Sequence, residues 1–366
     1  MGALEKCRTS ALGGHRDKCD NEDCGHIEVS YNSCRNRHCP KCQTLSKEKW
    51  IDARSEDLLP LEYFHVVFTI PSKLNPLVVM NQKVTYNLLF RSVSETLVEL
   101  SKNPEHLGAR IGFIAILHTW GQNLIDHPHI HGVVPGGGLS HDGNHWVSSR
   151  KKFFIPVKGM SKLFRGKFLD YLKKSFEAGD LIFPSGIRYL NKPAYFEAFL
   201  GQFNYKKWVV SCKAPCNGAE GVLQYLGRYT HRIAISNNRI VSLHDGEVSF
   251  RWRDYADGDT QKIMPVKADE FIRRFLLHVL PPRYVRIRHF GLLANRSCKD
   301  NIALCRELLG SCKTVTKEKD NPETWQEQLL RICGIDVATC PVCRKGKMVR
   351  MEVLNPSRCN GPPEQC

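Results

Sequence analysis

Several absences narrow the chain first. No apolar run approaches the roughly 20 residues that a bilayer-spanning helix needs. The opening Met1-Gly2-Ala3-Leu4-Glu5 has no apolar signal core, so a soluble, cytoplasmic protein without a membrane partner is expected. Glycine-rich phosphate cradles are missing, because Gly136-Gly137-Gly138 has the spacing of neither a P-loop nor a dinucleotide fold. There is no internal repeat and no low-complexity tract. Acidic residues are also scarce: 37 Asp and Glu against 53 Lys and Arg leave a formal net charge of +16. That excess points to a polyanionic partner, nucleic acid first.

What is present is a chain of 366 residues, 42% hydrophobic, long enough for a sizeable core and more than one domain. Basic residues interleave with aromatics in Phe250-Arg251-Trp252-Arg253 and from Arg283 to Phe290. Such stretches suit backbone neutralisation plus base stacking on single strands. Each reads equally well as an amphipathic strand with one core face. The 16 cysteines are uneven, six before residue 43 and six after residue 311. With no secretory signal, that spacing reads as metal binding in a reducing compartment.

Three segments follow. Residues 1–46 are rich in Cys, His, Gly and Asn and too short to bury a core, which predicts a metal-stapled module. Residues 47–297 mix strands and helices. Strands are expected at Leu61–Ile70, Ile111–Thr119 and His129–Val134, a long helix from Asn75 to about Ser101, further helices at 161–178, 193–203, 219–230 and 268–279, and hairpin turns at Asp142-Gly143 and Asp245-Gly246. This intermixing predicts an α+β domain on an antiparallel sheet rather than a doubly wound parallel one. Residues 298–366 read as a helical C-terminal region ending in a polar, cysteine-bearing tail.

In the first module, Cys39-Pro40-Lys41-Cys42 is a zinc knuckle. Cys19 and Cys24, followed by Gly25, are its expected partners in a four-cysteine site. Cys7, His15, Cys34 and His38 remain for a second zinc, with His26 as a competitor. Near the other end Cys340 and Cys343 form another knuckle, which Cys359, Cys366 or Cys333 would complete; Cys212 and Cys216 read as structural.

The central segment holds the reactive pattern. In His127-Pro128-His129-Ile130-His131, alternation on a strand puts the imidazoles on one face. Hydrolytic zinc sites with His-x-His want an acidic partner soon after, and Gly132-Val133-Val134-Pro135 supplies none. An open pair at His129 and His131 suits Mg²⁺ or Mn²⁺ holding a phosphate oxygen, with His127, Gln122 or His65 as the third ligand. Downstream, Tyr225 and Tyr229 stand one helical turn apart, so both phenols share a face. Arg228, His231 and Arg232 beside them suit DNA phosphate binding or lowering a phenol's pKa. A metal that polarises a phosphate and a phenol that attacks it make a DNA-nicking and rejoining enzyme.

The phrases "CRTSALGGH", "YNSCRNRHCPKCQ", "FHVVFTIPSKLN", "HTWGQNLIDHPHIHGVVPGGGL", "YLGRYTHRIAISN" and "VRIRHFGLLANR" run in order from Cys7 to about Arg296. Together they resemble the two-tyrosine HUH transposases of the insertion sequence 91 family and the related common-region elements. The resemblance implies a replication-initiator-type domain with the metal-bearing strand central in an antiparallel sheet. It implies His129 and His131 as the metal pair, Tyr225 and Tyr229 as nucleophiles, and rolling-circle transposition on single-stranded element-end DNA through 5′-phosphotyrosine. Unwinding would come from host helicase or replication proteins, since the chain carries no helicase. Two rival readings are a plasmid or phage replication initiator, and a zinc-containing DNA-binding protein without catalysis.

Overall fold

The computed structural model describes residues 2–356 except 40, 56, 151–153, 214–220, 222–226, 228–233, 256 and 312–322. The chain forms two compact units. One comprises Met1–Ala53, Gly227–Ile233 and Val315–Cys366; the other comprises Arg54–Leu226 and Ala234–Thr314.

In chain order the strands are β1 (Gly14–Cys19), β2 (Ile27–Tyr31), β3 (Tyr63–Thr69), β4 (Gly112–Trp120), β5 (Asp126–Pro135), β6 (Gly137–Leu139), β7 (Trp146–Ser148), β8 (Val209–Lys213), β9 (Ile240–His244), β10 (Glu247–Asp254), β11 (Thr260–Lys267), β12 (Ile287–Gly291) and β13 (Met348–Leu354).

The larger unit is organised by a five-stranded sheet in the order β12-β4-β5-β3-β8, every neighbouring pair antiparallel. The strand carrying His129 and His131 is therefore the middle one, and the α+β architecture with a central antiparallel sheet is what the sequence pattern predicts. Side-chain alternation gives this sheet two different faces. One presents Phe64, Val66 and Phe68 of β3, Ile130 and Val134 of β5, and Phe113, Ala115 and Leu117 of β4 to the main core. The helices Gln82–Lys102 and Val157–Glu177 supply the opposing layer, with Tyr86, Leu89, Phe90, Val93, Phe164 and Phe168 buried in the same cluster. Phe164 packs edge-on to Phe68 and Trp208 at ring separations of 5.2 and 5.3 Å. The other face holds the intervening residues, among them His65, His118, His129 and His131. A second sheet, β11-β10-β9, is a meander whose first turn is the expected Asp245-Gly246, both with positive φ.

The helix expected from Asn75 to Ser101 is broken. Asn75–Met80 and Gln82–Lys102 are separate helices, with Asn81 at φ −116° and ψ 37° between them. The buried Asn81 side chain fixes the break, donating to the carbonyls of Leu77 (2.9 Å) and Ile182 (3.0 Å) and accepting from the Ile182 N–H (2.8 Å). Asn competes with helical backbone bonding in this way wherever its amide finds local partners.

The smaller unit is built on a three-stranded sheet in the order β13-β1-β2. β13 lies in the tail that reads from sequence as short and polar, yet it pairs antiparallel with β1 from Gly14↔Leu354 to Cys19↔Met348. Two cross-strand ion pairs fasten the ladder, Arg16–Glu352 at 3.3 Å and Arg350–Asp17 at 3.0 Å. The sequence suggests a separate C-terminal segment from residue 298. The structure instead divides that stretch: the helix Cys298–Leu308 belongs to the larger unit, and the residues from 315 onward group with the N-terminal module.

Candidate functional site

The histidine cluster follows from strand register. On β5, His129 and His131 are two residues apart and face the same way. On β4, His118 lies directly opposite His129 in the antiparallel ladder, and opposed residues project to the same face. One nitrogen from each of these three imidazoles falls within 4.8 Å of the other two, and all three side chains are buried. A β-bulge follows His118 immediately, between His118 and Trp120. Bulges re-aim side chains beside active sites, and here the Trp120 ring lies stacked on His118 at 4.8 Å.

Hydrogen bonds orient the two β5 histidines. His129 Nδ1 donates to the carbonyl of its neighbour His127, which leaves Nε2 with its lone pair. His131 Nδ1 sits 2.7 Å from His65 Nε2, the two rings nearly parallel at 6°. Such outer partners fix tautomer and ring direction in metal sites. Burial, reinforced by the neighbouring imidazole of His127, pushes the His129 pKa down to about 3. Burial also drives His131 well below its usual value, with His118 as the next contributor. His65 is lowered to about 4 by burial and then by Lys213. These rings are neutral at physiological pH, the form that ligates metal.

The third histidine is therefore not one that the sequence suggested. His127 alternates correctly with His129 and His131 but is exposed at the start of β5, outside the cluster, and serves through its backbone carbonyl. Gln122 turns away, its Nε2 3.4 Å from the hydroxyl of Tyr255. His65 supports His131 rather than joining the three. His118 was missed because its partner positions lie across a strand pairing, not along one strand. Its signal was a histidine inside an otherwise apolar predicted strand. Tyr225, Arg228, Tyr229, His231 and Arg232 lie outside the described residues.

The cysteines form two clusters, and their grouping differs from the expected one. Cys7, Cys34, Cys39 and Cys42 are together, with sulfur separations of 3.4 Å (Cys7–Cys42), 3.6 Å (Cys39–Cys7) and 3.7 Å (Cys34–Cys42). Cys19 and Cys24 sit with Cys340 and Cys343 instead of with the Cys39 knuckle. The β1–β13 ladder is the reason, since it carries the C-terminal knuckle to the end of β1 where Cys19 lies. His15 and His38 enter neither cluster. His15 pairs with Asp17 at 3.2 Å along β1, and His38 Nδ1 is 3.2 Å from Asn36 Oδ1. The carbonyl of His26 accepts from the Cys19 N–H at 2.8 Å. Cys333 stands apart from both clusters. Cys212 is a half-buried thiol on β8, raised to about 11 by burial. Cys216, Cys359 and Cys366 lie outside the described residues.

A tetrahedral zinc with Zn–S bonds of about 2.3 Å spaces its sulfurs about 3.8 Å apart, close to the separations of the first cluster. All four thiols are free of disulfides. At Cys39 burial pushes the thiol up to about 12. At Cys42 burial is outweighed by hydrogen bonds from Cys7, Cys39 and Cys34, which hold the thiol at about 7. The Asn36 N–H donates to Cys34 Sγ at 3.5 Å.

Comparison with known proteins gives the chain a family. Residues 1–70 match a family model described as a transposase zinc-binding domain of the insertion sequence 91 type. Residues 112–301, the stretch with all three clustered histidines, match a second model, described as "Putative transposase". A relative from Sinorhizobium fredii, "Putative transposase y4qJ", is 48% identical over 363 residues, covering 99% of this chain and 90% of its own length. The transposase for insertion sequence element IS801 from Pseudomonas savastanoi pv. phaseolicola is 28% identical over 293 residues, covering 80% of this chain and 69% of its own. Among the described residues no helix is long and apolar enough to cross a membrane. The chain belongs to the insertion sequence 91 family of transposases, enzymes that act on DNA, and carries the family's zinc-binding domain.

Proposed function

We propose that this transposase nicks and rejoins single-stranded DNA at element ends through covalent tyrosine intermediates, in rolling-circle fashion. The observation that carries the reading is the buried set of His118, His129 and His131 on the middle of the sheet, three imidazole donors converging on one point. These three would hold a divalent ion. When bound, the ion supplies Lewis-acid polarisation of a phosphate oxygen. Magnesium prefers oxygen ligands, so a site of three nitrogens ranks Mn²⁺ above Mg²⁺.

The remaining steps belong to the chain's own residues. Tyr225 or Tyr229 attacks the scissile phosphorus in line, and the bond from phosphorus to the 3′ oxygen breaks. The phenol's proton passes to that oxygen, leaving a free 3′-hydroxyl and a 5′-phosphotyrosine. The second tyrosine then cuts the far end, and the 3′-hydroxyl released there attacks the first adduct and restores a phosphodiester. Bond energy is kept in the adduct, so no nucleotide hydrolysis is needed for the chemistry. Arg228, His231 and Arg232 flank the phenols in sequence and hold phosphate. Strand unwinding falls to a host helicase.

The test is incubation of the purified full chain with a labelled single-stranded element-end oligonucleotide and Mn²⁺, resolved on a denaturing gel. A label shifted to protein mass is expected. It should disappear in the Tyr225→Phe, Tyr229→Phe double variant and in His129→Ala. Cleavage without any adduct would replace the tyrosine reading by hydrolysis, and binding without cleavage would leave only a DNA-binding protein.

A further inference from the structure

We infer that Cys19, Cys24, Cys340 and Cys343 form a second zinc site, so that the zinc-binding module is built from both ends of the chain. Each pair is a knuckle of its own, Cys19-x4-Cys24 leaving β1 and Cys340-Pro341-Val342-Cys343 leading into β13. Their sulfurs stand 3.6 Å apart between Cys19 and Cys343 and 3.8 Å apart between Cys24 and Cys340. That is the spacing of about 3.8 Å that a tetrahedral zinc imposes on thiolates. It is also far beyond the roughly 2.05 Å of a disulfide. Cys340 is completely buried, which does not describe a frayed terminus.

The surrounding backbone is shaped for four thiolates. The Gly346 N–H donates to Cys343 Sγ at 3.3 Å, and the Cys340 N–H closes the knuckle on the Gly346 carbonyl at 2.8 Å. A Cβ on Gly346 would stand 2.5 Å from Cys19 Sγ and 2.7 Å from Asp20 Oδ1, so only glycine lets the two knuckles come this close. Asp20 latches the approach: its carboxylate accepts from the Lys347 N–H at 2.7 Å, and its own N–H donates to the Lys347 carbonyl at 3.0 Å. Soft sulfur donors in a closed, four-fold set select a structural zinc over a catalytic one. The donor set is complete without any contribution from His15, His26 or His38.

The consequence is that the C-terminal tail is a structural part of the N-terminal module. It extends the zinc-binding domain beyond residues 1–70, where the family model places it.

Cobalt titration of the metal-stripped, reduced full chain tests this directly. Charge-transfer absorption from sulfur to cobalt reports only thiolate-bound ions, so the histidine cluster does not enter the count. Saturation at two thiolate-bound equivalents is expected. A Cys340→Ser, Cys343→Ser variant should saturate at one, and so should Cys39→Ser, Cys42→Ser, while Cys343→His should keep two. Saturation of the wild-type chain at one equivalent overturns the proposal, as does retention of two in the Cys340→Ser, Cys343→Ser variant. A readout that needs no variant is alkylation of the zinc-loaded chain. Cys24 and Cys343 should resist maleimide together and become reactive together when a chelator is added. Immediate labelling of Cys343 in the loaded protein would overturn the assignment as well.

Discussion

The geometry of the histidine cluster makes a ranked prediction about metal affinity. His118→Ala removes one of three converging donors, His65→Ala removes only the partner that steadies His131, and His127→Ala removes an exposed ring while keeping the carbonyl that His129 uses. Loss of an outer-shell partner typically weakens metal binding by about 10- to 100-fold, which sets the expectation for His65→Ala. Loss of a direct ligand should exceed that, beyond about 100-fold for His118→Ala. The His127 ring lies outside the three-donor set and meets it only at the His129 ring, 4.9 Å away, so His127→Ala should cost less than loss of the His65 support, below about 10-fold. The assay is Mn²⁺ titration of the zinc-loaded full chain, followed by the loss of the free-ion electron paramagnetic resonance signal. Equal loss for His127→Ala and His118→Ala would refute the ligand set, and so would an unchanged affinity in His118→Ala.

Two further outcomes test the packing around that site. His278 is buried between Thr119 and the carbonyl of Leu124, and burial lowers its pKa from 6.5 to about 4. The unfolded chain therefore takes up a proton below pH 6.5 that the folded chain refuses, and stability falls as pH drops from about 6.5 to about 4. At about 1.36 kcal/mol per pKa unit the loss approaches roughly 3 kcal/mol. A His278→Gln variant should show a correspondingly shallower acid dependence in urea titrations at pH 7 and pH 4.5; an unchanged slope would mean that the ring is protonated inside the fold. Asn81→Ala strands the Ile182 N–H and removes the lock between the helices Asn75–Met80 and Gln82–Lys102. Ile182 itself is exposed, so water can reach its freed N–H and a cost of about 0.5–1.5 kcal/mol is expected, read as a lower urea midpoint; a wild-type midpoint would contradict the role given to Asn81.

Local patterns in the sequence carried a good deal of this. Alternation along one strand was enough to place His129 and His131 on one face, and the apolar runs at Leu61–Ile70 and Ile111–Thr119 anticipated β3 and β4. Knuckle spacing likewise singled out Cys39 with Cys42 and Cys340 with Cys343. What spacing cannot encode is which distant pairs meet. His118 joins its cluster through a cross-strand register, and Cys19 meets Cys343 through a ladder between residues more than 300 positions apart. The alternating Met348-Val349-Arg350-Met351-Glu352-Val353-Leu354 did signal a strand, but its polar content read as tail because its partners Arg16 and Asp17 lie at the other end of the chain. The break at Asn81 was hidden for a different reason, since its amide is satisfied by Ile182, a contact that only the folded chain supplies.

The pairing of β1 with β13 also has a consequence in time. Cys24 and Cys340 are separated by 316 residues, and a ribosome adds about 5–20 residues per second. The first strand of the module must therefore wait roughly a quarter of a minute to a minute for its neighbour to be synthesised. During that interval the edge of β1 that faces away from β2 stands without the strand that will pair with it. A message cut short before codon 340 would yield a chain whose larger unit is complete but whose first strand never finds its mate. Synthesis through β13 is thereby a condition for completing the β13-β1-β2 sheet.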